Sequence, residues 1–326
     1  MIINSISSVN DFTYQCNGVN DDMAITIFIK KIRSKGHSNF TIEIEGTFKK
    51  ESASAIAIDN FNYTPITLDF SKCNRIISNG AFLDVTNVTV KNCAVYHQSN
   101  LNDVDIATFS GNNAIYENCK ITGSYKSGTC YGFKLTDSRI VNCDATISNN
   151  SGALWGIYGN NLLINGCRIN VSSSTASCYG IEAIGSFTSN STFRGETLSK
   201  IVTTSGNGGI GGGYYNNCRF IGIGALKGQG FFMRSGAFLD MNNCVCRGYT
   251  KDATNGWGIG LTGQVSNSNT LSLIGMNCNS EELTGFYQTK SMEMLDGYGT
   301  YSGTFFSAVN MADTITSLGS YIRDRN

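Results

Sequence analysis

Apolar residues along this chain come in short bursts, and the bursts keep time. Between residues 156 and 172 they form three clusters, Ile157-Tyr158, Leu162-Leu163-Ile164 and Cys167 through Val171, broken by Gly159-Asn160-Asn161 and Asn165-Gly166. Bursts this short, bounded by Gly and Asn, read as strands joined by tight turns. The i, i+3, i+4 spacing of an amphipathic helix is absent there.

The bursts belong to a repeat. An Asn-Cys pair recurs at Cys93, Cys119, Cys143, Cys218 and Cys244, with Gly166-Cys167 and Thr192-Phe193 as weaker copies. The steps between the second residues are 26, 24, 24, 26, 25 and 26. A second ladder runs in phase with the first: Tyr131-Gly132-Phe133, Trp155-Gly156-Ile157 and Tyr179-Gly180-Ile181, with later copies at Gly230-Phe231 and Trp257-Gly258-Ile259. The string GAFLD at 80–84 returns at 236–240, close to six periods on. Three strands in a period of about 25 residues describe one coil of a parallel β-solenoid. The pattern predicts an all-β, single-stranded parallel β-helix of about nine coils, right-handed by the general rule for parallel crossovers.

Stacked coils put equivalent side chains in columns about 4.8 Å apart. Asn before Cys suits a turn of positive φ. The Cys, with Ile121, Ala145, Ile169 and Phe220 two residues later, shares the interior face by strand alternation. Between them Lys120, Asp144, Arg168, Arg194 and Arg219 point outward as a mostly basic stripe. It reads first as a solvated surface, second as a site for an anion or a neighbouring subunit.

After each Tyr/Trp-Gly step, Phe133, Ile157 and Ile181 face inward, so Lys134, Tyr158 and Glu182 form an exterior column, with Arg234 a later member. Tyr131, Trp155 and Tyr179 stand beside it. Aromatic faces next to charged groups fit a sugar-binding groove; stacking at a coil corner for packing is the alternative. Lys134, Trp155, Tyr158, Arg234, Tyr131 and Tyr179 are therefore the candidate substrate-binding residues. Glycoside hydrolysis needs two carboxyls roughly 5–5.5 Å or 6.5–9.5 Å apart. Glu182 stands alone in its column, and Glu196 and Asp137 are its nearest partners in phase, which makes these three the candidate catalytic residues. A lyase would instead use Lys134 or Tyr158 as proton acceptor.

At the N-terminus, residues 21–34 read as a capping helix. Asp21 and Asp22 start it, Ala24, Ile25, Phe28, Ile29 and Ile32 supply an apolar face, and Gly36 stops it. Residues 1–48 then form a cap, 49–285 the solenoid, and 286–326 a second cap or a trimerisation element.

Composition narrows the functions. The chain carries 24 basic and 24 acidic residues, and zero net charge argues against a nucleic-acid partner. No apolar run reaches the length of a membrane span, and MIINSISSVNDF has no secretory signal. The 12 cysteines include no CxxC pair, so they read as a stack of buried thiols rather than disulfides or a zinc site. No metal or cofactor is expected. His37 and His97 read as surface residues outside the columns, against a Ser or Cys triad. The run Gly206–Gly213 lacks the Lys-Ser/Thr of a phosphate loop and reads as a closely packed turn.

One segment carries a resemblance. Val9-Asn10-Asp11-Phe12, Asn17-Gly18-Val19-Asn20-Asp21-Asp22, Ile25, Phe28-Ile29 and then Ile42-Glu-Ile-Glu-Gly-Thr-Phe48 resemble the N-terminal cap of pectin-lyase-like β-helix proteins. Those carry DFGA…GDGVTDDT…AIQ…I and a strand ending in a G-T-Y-like turn; here Thr13-Tyr14 replaces Gly-Ala and Asn17 the first Asp. Within that superfamily the Asn/Gly/Ser-rich chain looks most like a bacteriophage tail spike or tail fibre. The resemblance implies a homotrimer in the virion tail, assembled in the host cytoplasm beside other tail proteins, that binds bacterial surface polysaccharide. A polysaccharide depolymerase, hydrolase or lyase, of the same fold is the alternative, and a purely structural virion or adhesin component the third reading.

Overall fold

The structure is a computed structural model that describes residues 11–50, 52–60, 65–98, 105–201, 204–225, 227–233 and 238–250, and beyond them the strands Asn255–Leu261, Thr270–Ile274, Asn277–Ser280, Thr284–Tyr287, Glu293–Leu295, Tyr298–Tyr301, Phe306–Ser307 and Ser317–Leu318. Each strand pairs in parallel with its counterpart one coil on, as a β-solenoid requires. Three faces result. Face 1 stacks Lys120–Ser127, Asp144–Ser151, Arg168–Ser173, Thr192–Thr197 and Arg219–Gly224. Face 2 stacks Ile106–Asn112, Cys130–Thr136, Leu154–Asn160 and the first half of Cys178–Ser189. Face 3 stacks the short strands Ile115–Glu117, Arg139–Val141 and Leu163–Asn165 with the second half of Cys178–Ser189. Parallel pairing continues past residue 285, through Tyr298–Tyr301 and Ser317–Leu318; the rest of the expected C-terminal element lies outside the described residues.

The cysteine column exists. Cys93, Cys119, Cys143, Cys167, Cys218 and Cys244 are all buried, and the backbone N–H of Cys119 points at Cys143 Sγ, 3.3 Å away. One rung departs from the expected register. The N–H of Cys167 donates to Ser191 Oγ at 3.0 Å, while Phe193 registers with Ile169 and Phe220. The repeat there is Asn190-Ser191, not Thr192-Phe193: serine matches the small side chain and takes over the thiol's acceptor role. Consequently Thr192 follows Arg168 in the outward file, and Arg194 belongs to the next file, beside Asn170 and Ile221.

Asparagine makes two of the corners. Asn92, Asn118, Asn142, Asn190, Asn217 and Asn243 hold φ between 50° and 56°, with Gly166 in the same file at 68°. This left-handed conformation is one Asn tolerates because its amide bonds locally. The amides also bond between rungs, as Asn217 Nδ2 does to Asn190 Oδ1 at 2.8 Å. A second file, Asn87, Asn113, Asp137 and Asn161, turns the corner between faces 2 and 3. The remaining corner is a buried polar file that the sequence reading missed. Tyr125, Asn149, Ser173 and Thr197 share a register. Asn149, Ser173 and Thr197 donate to the turn carbonyls of Gly128, Gly152 and Ala176 at 2.9, 3.1 and 2.7 Å. Backbone groups that strand pairing leaves open are thereby satisfied.

The helix spans Asp21–Ser34 and buries Ile25, Phe28, Ile29 and Ile32 against the first coil, each contributing about 1.5–3 kcal/mol by area. Tyr14 meets Phe28 there at 5.6 Å. Asp21 does more than start the helix. Fully buried, it accepts from the Tyr14 hydroxyl and from the N–H groups of Asn17, Gly18 and Lys49, pinning the first strand, the helix and the next coil together.

The expectation for His97 changes. His97 is fully buried and lies in an inward file with Ser78 and Lys50, its Nδ1 3.4 Å from Thr108 Oγ1 and its ring 4.3 Å from that of Tyr125. His37 packs edge-on against Phe12 at 5.1 Å. The two GAFLD strings are not equivalent either: Asp84 sits on face 2 opposite Ser110, Asp240 on face 3 opposite Tyr214. Among the described residues no helix is long and apolar enough to cross a membrane, and no cluster of metal-ligating side chains occurs.

Candidate functional site

Face 2 owes its shape to a column of glycines. In Cys130–Thr136 and Leu154–Asn160 two consecutive residues are buried, Gly132-Phe133 and Gly156-Ile157, and Gly180-Ile181 repeats the pattern. A Cβ on Gly132, Gly156 or Gly180 would stand 2.7, 2.5 or 2.5 Å from the carbonyl oxygen of the glycine one rung on. Only glycine fits, and the extra inward residue, repeated in register on each rung, resets the alternation. Tyr131 and Lys134, three residues apart, therefore both face outward.

Two files run side by side. One is Tyr131, Trp155, Tyr179, continued by the buried Asn207 and Gln229; the other is Asp84, Ser110, Lys134, Tyr158, Glu182, Ile210. The first three rings stack along the axis, Tyr131 on Trp155 at 5.2 Å and 24°, Trp155 on Tyr179 at 4.8 Å and 18°. Both faces of the Trp155 indole are thus covered, while Tyr131 and Tyr179 each spend one face on it. What they offer outward is edges and hydroxyls. Lys134 Nζ lies 4.8 Å over the Tyr131 ring.

A groove of about 490 Å³ opens where the files pass Tyr131, Lys134 and Tyr158. It gathers three predicted residues and adds two acids, Asp84 and Asp105, with the amides of Asn112 and Asn160 beyond them. Asp84 Oδ1 accepts from Ser110 Oγ at 2.9 Å and Asp105 Oδ1 from the N–H of Thr129 at 3.1 Å. Both carboxyls are held in place by the scaffold. Burial, then the negative field of Asp105, raises the Tyr131 phenol above its ordinary value, with Tyr158 and Glu182 adding to it. Tyr131 therefore enters the groove as a neutral hydroxyl that both donates and accepts.

The predicted catalytic residues stay apart. Glu182 is in the outward file, yet only 4% exposed, with Oε2 accepting from Trp155 Nε1 at 2.7 Å. Glu196 is on face 1, paired with Arg194 at 2.9 Å. Asp137 occupies a left-handed corner and accepts from Asn161 Nδ2 at 3.0 Å. None of the three lines the groove. Trp155 and Tyr179 back its ring stack, and Arg234 lies outside the described residues. One of the acids was within reach of the sequence: following Lys134 back by 24 and then 26 residues gives Ser110 and Asp84. Asp105 gives no such signal, since it lies outside the strand, just before Ile106.

No protein-family model, curated protein or solved structure matches the chain.

Proposed function

We propose that this β-solenoid binds bacterial surface polysaccharide in the face 2 groove, as a host-recognition component of a bacteriophage tail, of the tail-spike or tail-fibre kind. One observation carries the reading: the groove sets Lys134, Tyr131 and Tyr158 against Asp84, Asp105, Asn112 and Asn160. That density of donors and acceptors on a rigid sheet suits a ligand dense in hydroxyls, bound by hydrogen bonds and by the edges of rings. The sheet itself is preorganised, so little ordering entropy opposes binding.

Depolymerisation is the second reading, favoured by two carboxyls in one groove with Lys134 and Tyr158 as further proton-transfer groups. Incubation with purified capsule and O-antigen panels tests both. Co-sedimentation of one polysaccharide, weakened at least tenfold by Tyr158→Ala, supports binding. New reducing ends or unsaturated uronates, lost in Asp84→Asn or Asp105→Asn, establish cleavage. If no polysaccharide binds, or Tyr158→Ala binds as well as the natural chain, the groove is not the site.

A further inference from the structure

The face 2 groove has a sign. Among the described residues that line it, two carboxylates, Asp84 and Asp105, stand against a single cation, Lys134. Neither carboxylate forms an ion pair with another described residue. The Ser110 hydroxyl and the Thr129 N–H orient them and leave their charge in place. Lys134 offsets only part of it. Ser110 stands between Lys134 and Asp84 in the file, so their backbones are roughly 10 Å apart, two strand spacings. Its Nζ is also engaged with the Tyr131 ring at 4.8 Å. The Tyr131 phenol registers the result: after burial, Asp105 raises it most, with Tyr158 and Glu182 adding to it, even with Lys134 over the same ring.

That sign selects the ligand. We propose that the groove takes neutral or amino-bearing glycans and rejects acidic ones, the polyuronates and sialates; the inference rests on the groove being the glycan site. Ionised carboxylates only accept hydrogen bonds, so Asp84 and Asp105 suit sugar hydroxyls and, more strongly, a sugar ammonium. A glycan carboxylate brought beside them meets like charge in a partly desolvated cleft, which is how interfaces turn away a wrong partner. The same sign bears on the chemistry. Elimination acts on a uronate, which this groove repels, whereas hydrolysis of a neutral glycan by the two carboxyls meets no such opposition. Any cleavage is therefore hydrolytic and leaves no unsaturated uronate.

Matched forms of one polysaccharide test this on the full chain, with EDTA present so that no divalent cation bridges like charges. The polysaccharide that co-sediments best from capsule and O-antigen panels is oxidised at its primary hydroxyls to uronates, and the two forms are compared. The uronate form is expected to bind at least tenfold more weakly than its parent. Combining Asp84→Asn with Asp105→Asn is expected to shrink that difference to within about threefold. Raising the ionic strength of the natural chain from about 0.02 M to about 0.5 M is expected to shrink it too, which keeps the test valid should the double variant fold poorly. A uronate form that binds as tightly as its parent, with Tyr158→Ala weakening both, would overturn the charge selection and leave the groove as the site. A best binder that is itself a polyuronate or sialate would do the same. Binding that ignores Tyr158→Ala, or no binding at all, would remove the groove reading and this inference together.

Discussion

Trp155 and Glu182 meet across one rung of face 2, the indole N–H donating to Oε2 at 2.7 Å. Strand register sets them diagonally: Glu182 lies opposite Tyr158, and Trp155 opposite Tyr179. A carboxyl in an otherwise outward position is covered by this contact and by its neighbours. Its work is to hold the indole in the ring stack on which Tyr131, a wall of the groove, rests.

Glutamine at position 182 can still accept from the indole, whereas leucine cannot. Glu182→Gln is therefore expected to keep glycan affinity within about threefold, and Glu182→Leu to lose roughly tenfold, the worth of a hydrogen bond to a charged group. Titration calorimetry with a bound polysaccharide distinguishes them. If glutamine and leucine cost the same, the orienting role is wrong.

The glycine column makes a stability forecast. A methyl on Gly156 would press on the Ile169 side chain and stand 2.5 Å from the Gly180 carbonyl, and neither lies on a flexible tip. Gly156→Ala is expected to cost about 3 kcal/mol, the upper range of overpacking, and to lower the melting temperature by several degrees. Calorimetry that finds it unchanged would mean that the rungs are more loosely stacked than described.

Burial, with Lys50 nearby, pushes His97 from 6.5 down to about 4. In the unfolded chain this imidazole takes a proton near pH 6.5, while the folded chain resists until about pH 4. The folded pKa is the lower one, so the stabilisation is complete above pH 6.5 and is lost as pH falls toward 4, by roughly 3 kcal/mol. Urea titrations across that window are expected to show a steeper loss for the natural chain than for His97→Phe. Parallel curves would remove His97 from the account.

Accessibility separates the sealed column from Cys73. Cys93, Cys143 and Cys167 are raised, Cys93 by burial and the other two first by a neighbouring thiol, and all three are sealed inside. Cys73 is partly exposed, and a hydrogen bond from the Cys16 thiol lowers it to about 7. Brief alkylation of the folded chain with iodoacetamide at neutral pH is expected to label Cys73 well before any column cysteine, by peptide mass mapping. Equal labelling of Cys143 would contradict a closed column.

The residues show why some of this was legible and some not. Files built from one repeated chemistry announce themselves: Cys119 over Cys143, Asn142 at its turn, Tyr131 over Trp155. Where a rung changes chemistry, the period alone misleads, as when Ser191 stands in for cysteine and Phe193 takes its place in a count. His97 gives no signal of its inward place for the same reason, since Lys50, Ser78 and His97 share a file but no chemical likeness. Asp105 lies just before the strand Ile106–Asn112 and in none of the strand registers, so no spacing rule marks it. Ring faces look available in sequence, and only the stacking geometry reveals that Trp155 has both of its faces covered.

Trp155 touches both Tyr131 and Tyr158, with ring centroids at 5.2 and 6.1 Å, which makes it a reporter for the groove. The chain has one other tryptophan, Trp257, and Trp257→Phe leaves Trp155 as the sole indole. Oligosaccharide from a capsule or O-antigen titrated into that variant is expected to change its emission saturably, and the change is expected to vanish when Tyr158→Ala is added. An oligosaccharide that binds at full strength while Trp155 emission stays flat would place the glycan elsewhere and contradict the central claim.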